Sequence, residues 1–133
     1  MEEVKDKSSE LTFWDKVNWD VVKYNKIDKN EFLRIKLKNK KSYGVLLGSA
    51  DELSFFMFRA LMWPEYKDMK QKNLNKYEMQ EYLINNCVLW PKQDIMALNT
   101  MEAGTMTTLV YQIMAVSYFL NDPSKALEMI IEV

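Results

Sequence analysis

The chain contains no histidine and one cysteine, Cys87. Without histidine, a Ser-His-Asp or Cys-His nucleophilic arrangement cannot be built within one chain. The Cys/His cluster that structural zinc requires is missing as well. A lone cysteine forms no internal disulfide and fits a reducing compartment. No glycine-rich phosphate loop of the P-loop or GxGxxG kind occurs. Glycine and proline number three each, which argues against a many-turned β-sandwich and for helices with few breaks. The first ten residues, MEEVKDKSSE, are acidic and lack the apolar run of a signal peptide.

Charge of one sign is also lacking. Residues 1–42 carry eleven Lys/Arg against eight Asp/Glu, residues 43–90 five against six, and residues 91–133 two against five. That tilt from +3 through -1 to -3 is far from the basic stripe that phosphate neutralisation needs, so nucleic acid is not an expected partner. The run from Ala103 to Asn121 has no charge and approaches the roughly 20 residues of a membrane span. Thr105, Thr107, Thr108, Gln112 and Ser117 dilute it, however, and no basic flank sets an orientation. The expectation is a buried helix and no membrane.

What the chain does hold is one domain's worth of core. Its 133 residues are 48% hydrophobic and 28% charged, a globular composition of single-core length. Ten Met and seventeen aromatics supply adaptable, bulky side chains, some of which can face a partner.

Residues 1–10 read as a flexible tail, or as an arm that orders on a partner, ahead of a single domain over 11–133. The stretch from Leu11 to Ile27 brings Phe13, Trp14 and Trp19 close together. Rings this large must dock, on their own core or on a neighbour, and the mixed period suggests an irregular or strand-like segment. Alternation over Leu33-Arg34-Ile35-Lys36-Leu37, the charged turn Lys38-Asn39-Lys40-Lys41 and the apolar Tyr43 to Leu47 predict a β-hairpin over about 32–48. Ser49-Ala50-Asp51-Glu52 has capping-box form and predicts a helix over about 49–62, stopped at Trp63-Pro64. A polar linker over 65–74 follows.

Asn75 with Glu78 caps a helix over about 75–89, stopped at Trp90-Pro91. A helical turn is expected over 93–101, then the uncharged helix over about 104–120. Asp122-Pro123 opens a last helix over about 123–132, with Ala126, Leu127, Ile130 and Ile131 on its apolar stripe. The fold class so predicted is α+β, mostly helical, with an N-terminal β-hairpin followed by a bundle of about four helices.

Chemistry is scarce. Asp51 and Glu52 are adjacent carboxylates, but neighbouring helical residues point about 100° apart, and capping already explains both. Cys87 falls on the last turn of a helix, where the dipole disfavours a thiolate, and reads as a small buried side chain. Gly104 reads as a packing residue, giving close approach or a tight helix start. No catalytic, cofactor-binding or metal-ligating residues are assigned, and no enzymatic activity or cofactor is expected. Trp14, Trp19, Trp63, Trp90, Leu127, Ile130 and Ile131 are the candidate anchors of core or interface.

The pairing of Asn85-Asn86-Cys87-Val88-Leu89-Trp90-Pro91 with Ala103-Gly104-Thr105 and the helix ending Val116-Ser117-Tyr118-Phe119 resembles the tail-assembly chaperones and baseplate-hub assembly proteins of contractile-tailed bacteriophages. In that family a Cys-Val-(Leu/Ile)-(Tyr/Trp)-Pro phrase ends one helix, and an Ala-Gly-led helix finishes in a Ser-Gly-Phe-like phrase. The likeness spans roughly Phe32 to Phe119, with about a dozen motif-like residues. Tyr118 departs from it, standing where the family often has glycine, and so does the Trp-rich N-terminal segment.

The resemblance implies a non-enzymatic protein assisting phage tail or baseplate assembly through protein contacts, in the host cytoplasm. Its partners would be tail or baseplate proteins, with a homo-oligomer as a further option. A permanent virion component and a small regulator of a host protein are the alternatives.

Overall fold

The computed structural model describes residues 14–39, 41–49, 52–92, 101–119 and 131–132. Its centre is a mixed five-stranded sheet. A 3-10 turn, Trp19–Val21, leads into β1, Val22–Tyr24. Helix α1 spans Lys29–Lys38, and strands β2 (Tyr43–Ser49) and β3 (Glu52–Phe58) form an antiparallel hairpin. Helices α2 (Trp63–Gln71) and α3 (Lys76–Cys87) come next, and α3 runs straight into β4, Val88–Trp90. Helix α4 spans Ala103–Val116, and β5 is Ile131–Glu132.

The strands pair in the order β1-β3-β2-β5, with β4 also on β3. β1 runs parallel to β3 near Leu53 and Ser54, whereas β4 is antiparallel to it at Met57 and Phe58. β5 lies antiparallel to β2 at Tyr43 and Gly44.

Strand β3 separates two cores. Phe55, Phe56, Met57 and Phe58 are all buried, at 3% exposure or less. Because strand side chains alternate, Phe56 and Phe58 join one apolar cluster while Phe55 and Met57 join the other. The first cluster packs Tyr43, Val45 and Leu47 of β2 against Met69, Leu83, Ile84, Leu109 and Ile113 of the three later helices. The second packs Val22, Phe32 and Ile35, with Trp14, Trp19 and Trp90, on the opposite face. A strand covered on both faces has a continuous apolar sequence, without alternation.

The expected N-terminal hairpin followed by a helical bundle is therefore incorrect: helix α1 precedes the hairpin, which lies one strand later, and both faces of the sheet carry helices. The predicted strand over 32–37 is part of α1. Asp28 caps that helix by accepting from the Asn30 amide at 3.1 Å. Phe32 and Ile35, three apart, bury on one side, and Leu, Lys, Arg and Glu are better helix than strand formers. Leu37, counted into the alternation, is left 72% exposed.

The predicted helix over 49–62 is β3. Ser49 pairs with Glu52 across the hairpin, so both ends of the stretch that imitates a capping box belong to paired strands; Asp51 lies outside the described residues. Gly48 next to it adopts φ +130°, where an added Cβ would collide with the carbonyl oxygen of Glu52.

The first Trp-Pro, read as a stop, is a start. Pro64 occupies the first turn of α2, where a missing N–H costs nothing, and Glu65 accepts from the Met62 amide at 3.1 Å. The 65–74 stretch expected as a linker is mostly this helix. The predicted helices over 75–89 and 104–120 correspond to α3 and α4. The former ends at Cys87, and its last residues pass into β4, with a cis Trp90-Pro91 peptide after it. The tail over 1–10, Phe13, the turn over 93–100, and residues 123–130 of the last helix, with Leu127 and Ile130, lie outside the described residues. Ile131 is in β5, not in a helix running to 132.

Candidate functional site

The anchors proposed from sequence divide between core and surface. Trp14 and Trp19 stack at 4.3 Å between ring centroids, Trp14 meets Phe32 edge-on at 5.4 Å, and Trp19 meets Phe55 at 5.0 Å. The Trp19 indole donates to the Trp14 carbonyl at 2.9 Å. Trp90 donates to the Asn25 carbonyl at 3.0 Å. These three tryptophans thus close the second core, with the indole N–H groups of Trp19 and Trp90 satisfied as burial demands. Trp63 differs: it is 66% exposed.

Trp63 begins a row of rings. It stacks on Tyr66 at 5.6 Å, and Tyr66 packs on Phe119 at 5.4 Å. Phe119 is itself 46% exposed. Tyr66 and Phe119 are also on the wall of an apolar groove of about 350 Å³ between α2, α3 and α4, floored by Leu61, Met69, Met79, Leu83 and Met114. Lys70 and Lys76 stand in the same lining. Periodicity could flag the helices but not this convergence, because Phe119 and Trp63 are 56 residues apart and meet only through Tyr66.

A polar frame holds the groove's walls. Arg59, just past β3, forms a two-pronged pair with Glu65 at 2.7 and 2.6 Å. The same guanidinium donates to the carbonyls of Ala60 at 3.1 Å and Asn86 at 2.9 Å, and the Arg59 amide donates to the Cys87 carbonyl at 2.9 Å. Helix α3 has no basic residue in its last turn, so a cation from another element complements its negative end. Glu65, in turn, sits in the first turn of α2, whose positive end it complements. One ion pair therefore joins the start of α2 to the end of α3. The Arg59 hydrogen bonds hold the Glu65 carboxyl below its usual range, against the opposing effect of burial.

Two further contacts complete the frame. The Tyr82 hydroxyl, on α3, is shared between the Glu65 carbonyl at 3.2 Å and an Asp68 carboxylate oxygen at 2.9 Å on α2. Burial first, and then the Asp68 carboxylate, push the phenol up to about 12. Ser117 accepts from the Leu61 amide at 2.8 Å and donates to the Ile113 carbonyl at 2.6 Å, tying the end of α4 to the segment before α2.

The end of α4 also positions Phe119. Tyr118 adopts φ +66°, with its amide donating to the Ala115 carbonyl at 3.2 Å, while the Phe119 amide donates to Met114 at 3.0 Å. This is the Schellman arrangement, which turns the chain back so that the residue after the left-handed position meets the helix's last turn. Phe119 and Met114 accordingly line the groove together. The left-handed residue is usually glycine, and its tyrosine here is 86% exposed.

The remaining sequence candidates hold little chemistry. Cys87 is fully buried, and burial pushes its thiol up to about 12, the nearby Arg59 charge opposing. Gly104 is exposed, and a Cβ built on it would meet nothing within 4 Å, so it is not the packing residue expected. A hollow of about 640 Å³ beside the start of α4 includes Glu52, Glu102 and Thr105; both carboxylates are exposed. Among the described residues no group of three His, Cys, Asp or Glu could hold a metal ion, and no helix is long and apolar enough to cross a membrane.

Fold and surface together define a class: a mixed-sheet α+β protein with a framed apolar groove under an exposed aromatic row. No protein-family model, curated protein or solved structure matches the chain.

Proposed function

We propose that this protein acts without catalysis in the assembly of a contractile phage tail or baseplate, holding a partner protein in the groove between α2, α3 and α4. The observation that carries the docking role is the row Trp63, Tyr66 and Phe119, whose outer two rings stay in water beside a methionine-rich hollow. Exposed, contiguous aromatic surface of this kind marks interaction sites. Methionine lets such a surface adapt to its partner's shape, and tryptophan and tyrosine are the residues in which binding energy concentrates.

The phage setting rests on the resemblance of the Cys87 to Phe119 phrase. Its two halves are the junction of α3 with β4 and the whole of α4, neighbours in the first core through Cys87, Val88, Leu109 and Ile113. Tyr118 departs from the family's glycine in identity, yet its backbone has the conformation glycine favours.

Co-purification tests the proposal. Tagged protein is expected to bring down a tail or baseplate protein encoded near it. Trp63→Ala, which alters an exposed side chain and is expected to leave folding stability within about 0.5 kcal/mol, should weaken that capture at least tenfold. A chain that associates with no such product would refute the assignment. Stoichiometric presence in purified particles would make it a permanent virion component.

A further inference from the structure

The partner surface that fits this groove has a definable chemistry, and the inference rests on the docking role just proposed. The groove is walled by three helices, and helix interiors offer no free row of N–H and C=O groups to a docking strand. Recognition must pass through side chains, which an amphipathic helix supplies at i, i+3 and i+4. Helix α2 has nine residues, about 13 Å of length, so a docked helix would present roughly two turns.

Charge narrows the choice further. Among the described residues, Lys70 and Lys76 are in the lining and no carboxylate is. Of the described acids on α2 and α3, Glu65 is engaged with Arg59, Asp68 with Lys72 and Tyr82, and Glu78 with the Asn75 amide, while Glu81 is exposed outside the lining. Lys70 lies over the Tyr66 ring at 5.5 Å, at the junction of the groove with the aromatic row. From this complementarity we infer that the groove takes an acidic amphipathic helix of a partner protein, its apolar anchors among Met79, Met114 and Phe119 and its carboxylates against Lys70 and Lys76.

A display library of amphipathic helices, varied at both apolar and polar positions and panned on the full-length chain, tests this. Enriched helices should carry Asp or Glu beside their apolar anchors. They should bind the double charge reversal Lys70→Glu, Lys76→Glu at least tenfold more weakly, while unchanged circular dichroism shows that variant to be folded. Basic or neutral winners, equal binding to the charge-reversed chain, or no enrichment would overturn the inference. So would a concentration-dependent dimer abolished by Phe119→Asp, which would assign the groove to a second copy. Acidic helices that bind while no tail protein co-purifies would leave this inference standing and remove the phage setting; the converse result would do the reverse.

Discussion

Replacing Glu65 by glutamine tests whether the Arg59–Glu65 pair is what holds α2 against α3. The substitution keeps shape and one carbonyl acceptor, so the Met62 amide can remain bonded. It removes the negative charge from a site where the Arg59 and Glu65 side chains are only 24% and 22% exposed. Exposed ion pairs contribute at most about 1 kcal/mol, and removing one partner of a fully buried pair costs roughly 3–5 kcal/mol. Three-quarters burial, with the Ala60 and Asn86 carbonyls still available to the guanidinium, places the loss between them, at about 2 kcal/mol.

The pH dependence gives the sign. Because the folded carboxyl is held below its unfolded value, its stabilisation is present above the ordinary carboxylate range and is lost as pH falls through the lowered value. Urea unfolding of wild type and Glu65→Gln should therefore differ by about 2 kcal/mol at neutral pH and converge in strong acid. An Arg59→Gln, Glu65→Gln double-mutant cycle should return a coupling of about 1 kcal/mol or more. A neutral-pH difference under about 0.5 kcal/mol, or one unchanged in acid, would refute the argument that the charge pair, rather than packing, fixes the helix ends.

Three other outcomes are expected. Cys87 should resist thiol reagents in the native protein and react only as the chain opens, with labelling that tracks urea unfolding; rapid native labelling would contradict its burial and raised pKa. Gly48→Ala should destabilise by about 3 kcal/mol in urea, since both the positive φ and the Glu52 carbonyl oppose a Cβ. Tyr118→Gly should stabilise by about 0.5 kcal/mol in the same assay, because relief of left-handed strain exceeds the extra unfolded-state freedom of glycine and little buried surface is lost.

The parts legible in the sequence were those governed by neighbours in the chain. Asn75 and Glu78 form the reciprocal cap expected of them, with bonds of 2.8 and 3.1 Å. Leu109, Val110 and Ile113 bury at helical spacing on α4. The misread helix over 49–62 came from the ambiguity of a short apolar run. Phe55-Phe56-Met57-Phe58 is compatible with a wide helix face or with a strand covered on both sides, and only the presence of a second core decides. Pro64 likewise excludes a helix behind it but permits one ahead. In the candidate site, Trp63 was recognisable as an anchor, whereas Lys70, Tyr66 and Phe119 were not, because nothing local distinguishes them from an ordinary solvated face.

Composition and spacing alone determined that the chain has no histidine chemistry or internal disulfide, that two helices start where they do, and that more aromatic surface is present than a small core readily hides. Tertiary structure decided which tryptophans are hidden and which one is left out. It also decided that β3 has two faces, and that a guanidinium from one strand end serves the terminus of a distant helix. The physical reason is range: caps and helical periods act within about four residues. The burial of a ring or the pairing of a charge depends on whatever the fold brings against it.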